Sequence, residues 1–239
     1  LGQGTRWIGN MALAGTGDPV DAEIAARKIG EELSILGINT DFAPVLDVNN
    51  NPENPVIGPR SFSDDPETVK TYGLRFLKGL QREGTISALK HFPGHGDTET
   101  DSHTGLPEID KSLQELKNCE LIPFQKVLQG TDLVMTAHIR YPQIEQNTYV
   151  SKQSGEEITL PATLSQKIIT DLLRGELGYD GVVVTDAMNM GAVAVHFQPL
   201  DAAKLAINAG VDLILMPVNV EGSEDIAKLN AYIDGITQM

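Results

Sequence analysis

One stretch concentrates the chain's chemistry: Lys90-His91-Phe92-Pro93-Gly94-His95-Gly96-Asp97-Thr98-Glu99-Thr100-Asp101-Ser102-His103. Its fourteen residues include three histidines, three acids and a lysine, and no aliphatic side chain. Such a density of ionisable groups points to a site, where a merely polar surface loop would be the plain alternative. Pro93, Gly94 and Gly96 rule out a helix here. His91 and His95, four apart, therefore cannot share a helical face as the zinc ligands of an H-E-x-x-H site do. Asp101 and His103 form a D-x-H pair. A carboxylate beside an imidazole fixes its tautomer and favours its charged form, and the ring titrates near neutral pH. Read from the residues alone, this pair is either a proton-transfer dyad or a hydrogen bond within a loop. Further along, Val182-Val183-Val184-Thr185 leads into Asp186, a carboxylate at the end of a buried strand. There it serves as a nucleophile or as a cap on the next turn.

The elements that must carry these residues alternate. Thr85–Leu89 reads as a short buried strand ending at Lys90. Asp18-Pro19 and Asp65-Pro66 each start a helix, with Asp at the N-cap and Pro at the first position. The first helix has an expected apolar stripe of Ile24, Ala25, Ile29, Leu33 and Leu36, and the second one of Val69, Tyr72, Phe76, Leu77 and Leu80. Strands are expected at 38–48, 133–137, 182–184 and 213–216. Ser112 with Glu115 opens a helix that Pro123 interrupts, and further helices are expected at 165–174, 201–209 and 223–236. The stretch 141–160 is polar with no clear period. Short apolar strands alternating with helices imply a parallel sheet covered on both faces. Ionisable groups recur at the strand ends, at Asp47, Lys90 with His91, His138 and Asp186. Convergence from four strands favours a (β/α) barrel, which gathers its strand ends around one mouth. Five strands are counted where such a barrel has eight, so the 239 residues read as one domain with part of the barrel missing.

Composition narrows the partners. The chain is 41% apolar and 21% charged, ordinary for a globular protein. Its net charge of −15 comes from 33 acidic against 18 basic residues. With no basic run, nucleic acid and anionic membrane surfaces are not expected partners. No apolar run approaches a membrane span. Cys119 is the single cysteine, so neither an internal disulfide nor a Cys-rich metal site is available.

Several segments together resemble a known family. Lys90–Gly96 (K-H-F-P-G-H-G), Asp101-Ser102-His103 and Val184-Thr185-Asp186-Ala187-Met188 look like those of glycoside hydrolase family 3, in particular its bacterial β-N-acetylglucosaminidases of cell-wall recycling. Phe42–Val48, Arg60-Ser61-Phe62, Met135–His138 and Pro161–Ser165 match as well, in order along nearly the whole chain. The resemblance implies a (β/α)8 barrel of the TIM type, lacking its first three strands in this chain together with an acidic D-Q-E-G-G segment. It implies a retaining hydrolase that releases terminal β-linked N-acetylglucosamine from peptidoglycan or chitin fragments. Asp186 would be the nucleophile, and His103 with Asp101 the acid/base dyad. Arg60, Lys90 and His91 would bind sugar hydroxyls, and no cofactor or metal is implied. His95 and His138 read as structural or supporting residues. The Thr and Gly content of the dyad loop predicts a segment that moves to bring His103 in when sugar binds.

Two other readings share this fold. One is a glycoside phosphorylase using the same covalent intermediate; the other is a metal-dependent hydrolase drawing on His91, His95, His103, His138 and Asp186. The expected partner is an amino-sugar saccharide, and the sequence assigns no oligomeric state. The long Asn/Pro loop before Arg60 favours a secreted or wall-associated enzyme over a cytoplasmic one.

Overall fold

A computed structural model of the chain describes residues 4–103 and 105–238. The chain is α/β, and it divides into two compact units. The first runs to Glu99 and includes Leu113–Met135; the second comprises Thr100–Ser112 and the chain from Thr136 onward.

In the first unit, α1 (Asn10–Ala14) precedes α2 (Pro19–Ile35), β1 (Thr40–Asp41), α3 (Pro66–Arg82) and β2 (Ile86–Phe92). Then follow α4 (Leu113–Asn118), α5 (Leu121–Val127) and β3 (Leu133–Thr136). The strands lie in the order β1-β2-β3, with β1 and β2 parallel in the register Thr40↔Ile86. Both Asp-Pro starts cap as expected. Asp18 accepts the Val20 N–H at 2.9 Å, and Asp65 accepts the Thr68 N–H at 2.8 Å. The bonds from Thr68 hold the Asp65 carboxyl below its ordinary pKa.

α3 buries the expected stripe, Val69, Tyr72, Phe76, Leu77 and Leu80. α2 does not. Its buried face is Ala22, Glu23, Ala25, Ala26 and Gly30, while Ile24 is exposed and so is Leu36 beyond its end. The reason is a close helix crossing. A Cβ on Gly79 of α3 would lie 2.4 Å from the Glu23 carbonyl oxygen and 2.7 Å from Ala26 Cβ, so only small residues fit at the contact. Glu23, buried there, is matched by Arg75 at 3.0 Å and Arg82 at 2.7 Å.

The strand expected over 38–48 is regular only at Thr40–Asp41. Pro44 has no N–H to give a ladder. Even so, the chain runs beside β2 as far as Leu46, whose N–H reaches the Lys90 carbonyl at 2.6 Å, with a parallel bridge from Val45 to Lys90. β2 itself extends to Phe92, so Lys90 and His91 stand on the strand and not in the loop after it.

In the second unit, the stretch 141–160 holds an antiparallel hairpin, β4 (Thr148–Val150) with β5 (Glu157–Thr159). Its residues are partly exposed on both faces, which explains why no alternation announces it. At its base the buried Glu145 carboxylate accepts the Gln146 and Asn147 amides, each at 2.8 Å, and the Ser165 hydroxyl. The helix expected from Ser165 is a π-helical segment, Lys167–Glu176, with Ile168, Ile169, Leu172 and Leu173 inward as expected. β6 (Val182–Thr185) is followed by α6 (Gly191–Ala194), α7 (Pro199–Ala209) and α8 (Ile226–Thr237). The expected strand at 213–216 is reduced to one parallel bridge, Val184↔Leu213.

Candidate active site

In the first unit the site residues are organised by a carboxylate at the end of the 38–48 segment. Asp47 is fully buried and accepts three hydrogen bonds: His91 Nδ1–H at 2.7 Å, the His91 amide at 3.1 Å and the His95 amide at 2.7 Å. Burial alone would raise this carboxyl. The charge and hydrogen bond of His91, with a contribution from His95, outweigh burial and hold Asp47 below its ordinary value. His91 thus has its Nδ1 committed to Asp47, and its ring lies 5.8 Å from that of His95. Lys90, one residue earlier, is half-buried. Burial raises the Asp41 carboxyl, and the charge of Lys90 offsets part of the effect.

His95 braces the loop, as expected. It is buried, and its Nδ1 lies 2.9 Å from Thr98 Oγ1. The brace has a partner that the sequence did not mark. Asn54, buried in the Pro-rich loop, donates its Nδ2 hydrogens toward the His95 carbonyl at 2.9 Å, the Gly96 carbonyl at 3.0 Å and Thr98 Oγ1 at 3.1 Å. Its Oδ1 accepts the Val56 and Ile57 amides at 2.9 and 2.7 Å, tying the 49–63 loop to the K-H-F-P-G-H-G loop. Gly96 is required by contact: a Cβ there would sit 1.6 Å from the Val48 carbonyl oxygen. Arg60 is exposed on the turn Gly58–Arg60, with Nη1 donating to the Val56 carbonyl at 3.3 Å.

The second unit holds the other candidates. Asp101 and His103 are in direct contact, Oδ1 to Nδ1 at 2.7 Å, and the same Oδ1 accepts the His103 amide at 2.8 Å. The His103 side chain is 61% exposed and that of Asp101 36%. The ring is exposed while its Nδ1 faces Asp101, so Nε2 is the ring nitrogen turned away from the carboxylate. Asp186 closes β6, half-buried, with its Oδ1 accepting the Ala187 N–H at 2.7 Å.

Backbone hydrogen bonds join these two groups. The Gly191 N–H donates to the His103 carbonyl and the Ala192 N–H to the Ser102 carbonyl, both at 3.1 Å. The dyad loop is fastened at its far side too, by Ile109 N–H to the Arg140 carbonyl and Arg140 N–H to the Pro107 carbonyl, both at 2.9 Å. Hydrogen bonds thus hold this segment at Ser102–His103 and again at Pro107–Ile109. His138, buried, places Nε2 3.1 Å from the Ala187 carbonyl and Nδ1 2.8 Å from Thr163 Oγ1. Among the described residues, no three His, Cys, Asp or Glu side chains gather to hold a metal ion.

The first unit thus holds a buried carboxylate, Asp47, near a strand end, and the second an Asp101–His103 pair and a carboxylate, Asp186, directly after β6. The chain belongs to glycosyl hydrolase family 3, whose N-terminal domain model matches residues 1–237. It is 46% identical over 237 residues to beta-hexosaminidase A of Pseudoalteromonas piscicida, covering 97% of this chain and 39% of that protein. It is 33% identical over 220 residues to a beta-hexosaminidase of Pseudomonas aeruginosa strain LESB58, covering 90% of this chain and 62% of the relative. In three dimensions it is similar to a glycoside hydrolase family 3 beta-N-acetylglucosaminidase from Paenibacillus sp. str. FPU-7. The TM-score is 0.83 at 42% identity, over 100% of this chain and 47% of that one. The chain thus spans less than two thirds of the length of each of these relatives.

Proposed function

We propose that this protein is a retaining β-N-acetylhexosaminidase that releases terminal β-linked N-acetylglucosamine from peptidoglycan or chitin fragments. The observation that carries the reading is the Asp101–His103 contact at 2.7 Å, in a loop hydrogen-bonded to the segment that follows Asp186. The hexosaminidase relatives support the substrate class.

In the proposed cycle the Asp186 carboxylate, oriented by the Ala187 N–H, attacks the anomeric carbon. The C–O bond to the leaving group breaks as His103 Nε2–H protonates the departing oxygen, and a glycosyl-aspartate ester forms. The neutral imidazole then takes a proton from water, and the hydroxide attacks the same carbon and releases Asp186. Two displacements retain the β configuration. Asp101 holds the ring tautomer and stabilises the imidazolium. Arg60, Lys90 and His91 are proposed as donors to sugar hydroxyls, with Asp47 fixing the His91 ring. A (β/α)8 barrel is proposed as the scaffold.

The test is hydrolysis of an aryl N-acetyl-β-glucosaminide in the presence of a chelator, with and without inorganic phosphate, followed by NMR of the first sugar formed. Chelator-insensitive release of β-N-acetylglucosamine is expected. Loss of activity to the chelator, or sugar 1-phosphate as the main product, would overturn the proposal.

A further inference from the structure

The nucleophile's carboxylate is only as well aimed as the turn that carries it. Backbone hydrogen bonds hold that turn, 186–192, and tie it to neighbouring segments of the second unit. Met188 N–H donates to the Leu215 carbonyl at 2.9 Å and Met190 N–H to the Ala187 carbonyl at 3.1 Å. Gly191 and Ala192 hold the dyad loop by the bonds described above. The His138 side chain enters this backbone frame from another element, two residues beyond β3, with Nε2 3.1 Å from the Ala187 carbonyl oxygen.

A carbonyl oxygen only accepts, so Nε2 must carry a hydrogen. Thr163 Oγ1 meets the other ring nitrogen at 2.8 Å and is itself 2.8 Å from Thr136 Oγ1. The ring is therefore held from both sides. All three residues are almost fully buried, so the contacts are shielded from exchange with water. Neither His138 nor Thr163 belongs to the dyad or is the nucleophile.

We infer that His138 is a positioning residue for the nucleophile: by donating Nε2–H to the Ala187 carbonyl, and locked by Thr163, it sets the turn that aims the Asp186 carboxylate and carries the anchor of the His103 loop. The inference rests on the reading of Asp186 as nucleophile. It assigns His138 no proton transfer with substrate.

The test compares His138→Gln with His138→Asn in the full-length protein, with wild type and Asp186→Ala alongside. A glutamine amide nitrogen falls near the place of Nε2 and preserves the donor to Ala187. An asparagine amide falls near Nδ1 and does not reach. The readouts are kcat per folded molecule, with the folded fraction taken from cooperative unfolding, and Ki for N-acetylglucosamine. Both are measured with nitrophenyl and dinitrophenyl leaving groups. His138→Asn is expected to lose about 10- to 100-fold in kcat, by the same factor for both leaving groups, with Ki within about 3-fold of wild type. His138→Gln is expected to stay within about 5-fold of wild type, since the donor is kept.

A merely structural histidine would lower the folded fraction and shift Ki, leaving kcat per folded molecule unchanged. That result, or equal rates in the two variants, would overturn the inference. A His138→Asn defect confined to the poorer leaving group would also overturn it, because it would place His138 in proton donation. Activity retained in Asp186→Ala would instead count against the nucleophile assignment beneath it.

Discussion

Asp47 offers a perturbation whose size can be worked from the structure. Its buried carboxylate joins the 38–48 segment to the K-H-F-P-G-H-G loop through three hydrogen bonds, at 2.7, 2.7 and 3.1 Å. Replacing it by alanine strands two buried amides and an imidazole N–H. Removing one partner of a buried, charge-assisted set costs about 3–5 kcal/mol. For a chain of this size that corresponds to a fall in Tm of roughly 6–20 °C. Asp47→Asn keeps an oxygen for the two amides but turns an NH2 toward His91 Nδ1. The ring must then change tautomer, for an expected cost of about 2 kcal/mol.

The pH dependence has a definite sign. The folded carboxyl titrates below its ordinary 3.8, so its contribution to stability is complete above that value. It is lost as pH falls from there through the folded pKa. Urea unfolding at neutral pH and near pH 3 measures both effects. Wild type should lose more stability than Asp47→Asn across that interval. A loss below about 1 kcal/mol in Asp47→Ala, or identical acid limbs in wild type and Asp47→Asn, would refute the reasoning.

Three further outcomes are expected. His103→Ala should lower kcat/KM, which reports formation of the glycosyl-enzyme, by about 100-fold or more for nitrophenyl substrates while largely sparing dinitrophenyl ones, whose leaving group needs no proton; an equal fall in kcat/KM for both would count against the dyad. Gly96→Ala should fail to give a stable fold by thermal unfolding, since its Cβ would lie 1.6 Å from the Val48 carbonyl oxygen; a Tm near that of wild type would contradict the tight approach. Tyr232, 7% exposed with a buried hydroxyl that meets no partner, has its pKa pushed up to about 12 by burial. Burial, with the hydrogen bond to Asp201, raises Tyr149 as well, so ultraviolet titration should show more than one late tyrosine, and Tyr232→Phe should remove one of them while being as stable as wild type or slightly more so.

Much of this was legible in the sequence because it rests on local rules. Asp-Pro starts and the 3.6-residue stripe of α3 are written in neighbouring residues. The D-x-H contact needs only two residues of separation to form. What escaped depends on distant packing. The stripe of α2 holds for Ala25 but not for Ile24, because Gly79, more than fifty residues away from Glu23, packs closely on this face and turns Ile24 outward. Asn54 gave no signal, for an asparagine in a Pro-rich loop looks like turn chemistry, and its five contacts appear only when the two loops meet. Asp47 was visible as a charge at a strand end, but its binding of His91 and His95 was not. His138 reads as a support in the sequence, but its contacts with Thr163 and Ala187, 25 and 49 residues further on, form only in the fold.

The central claim is that Asp186 forms a covalent bond to the sugar, and mass spectrometry tests it most directly. The protein is incubated with a fluorinated N-acetylglucosaminyl fluoride that forms the ester quickly and hydrolyses it slowly, then digested with a protease. The account predicts one sugar adduct per chain, on the peptide carrying Asp186, and none in Asp186→Ala. An adduct on another carboxylate, or on His103, in protein that turns over aryl glycosides would contradict it.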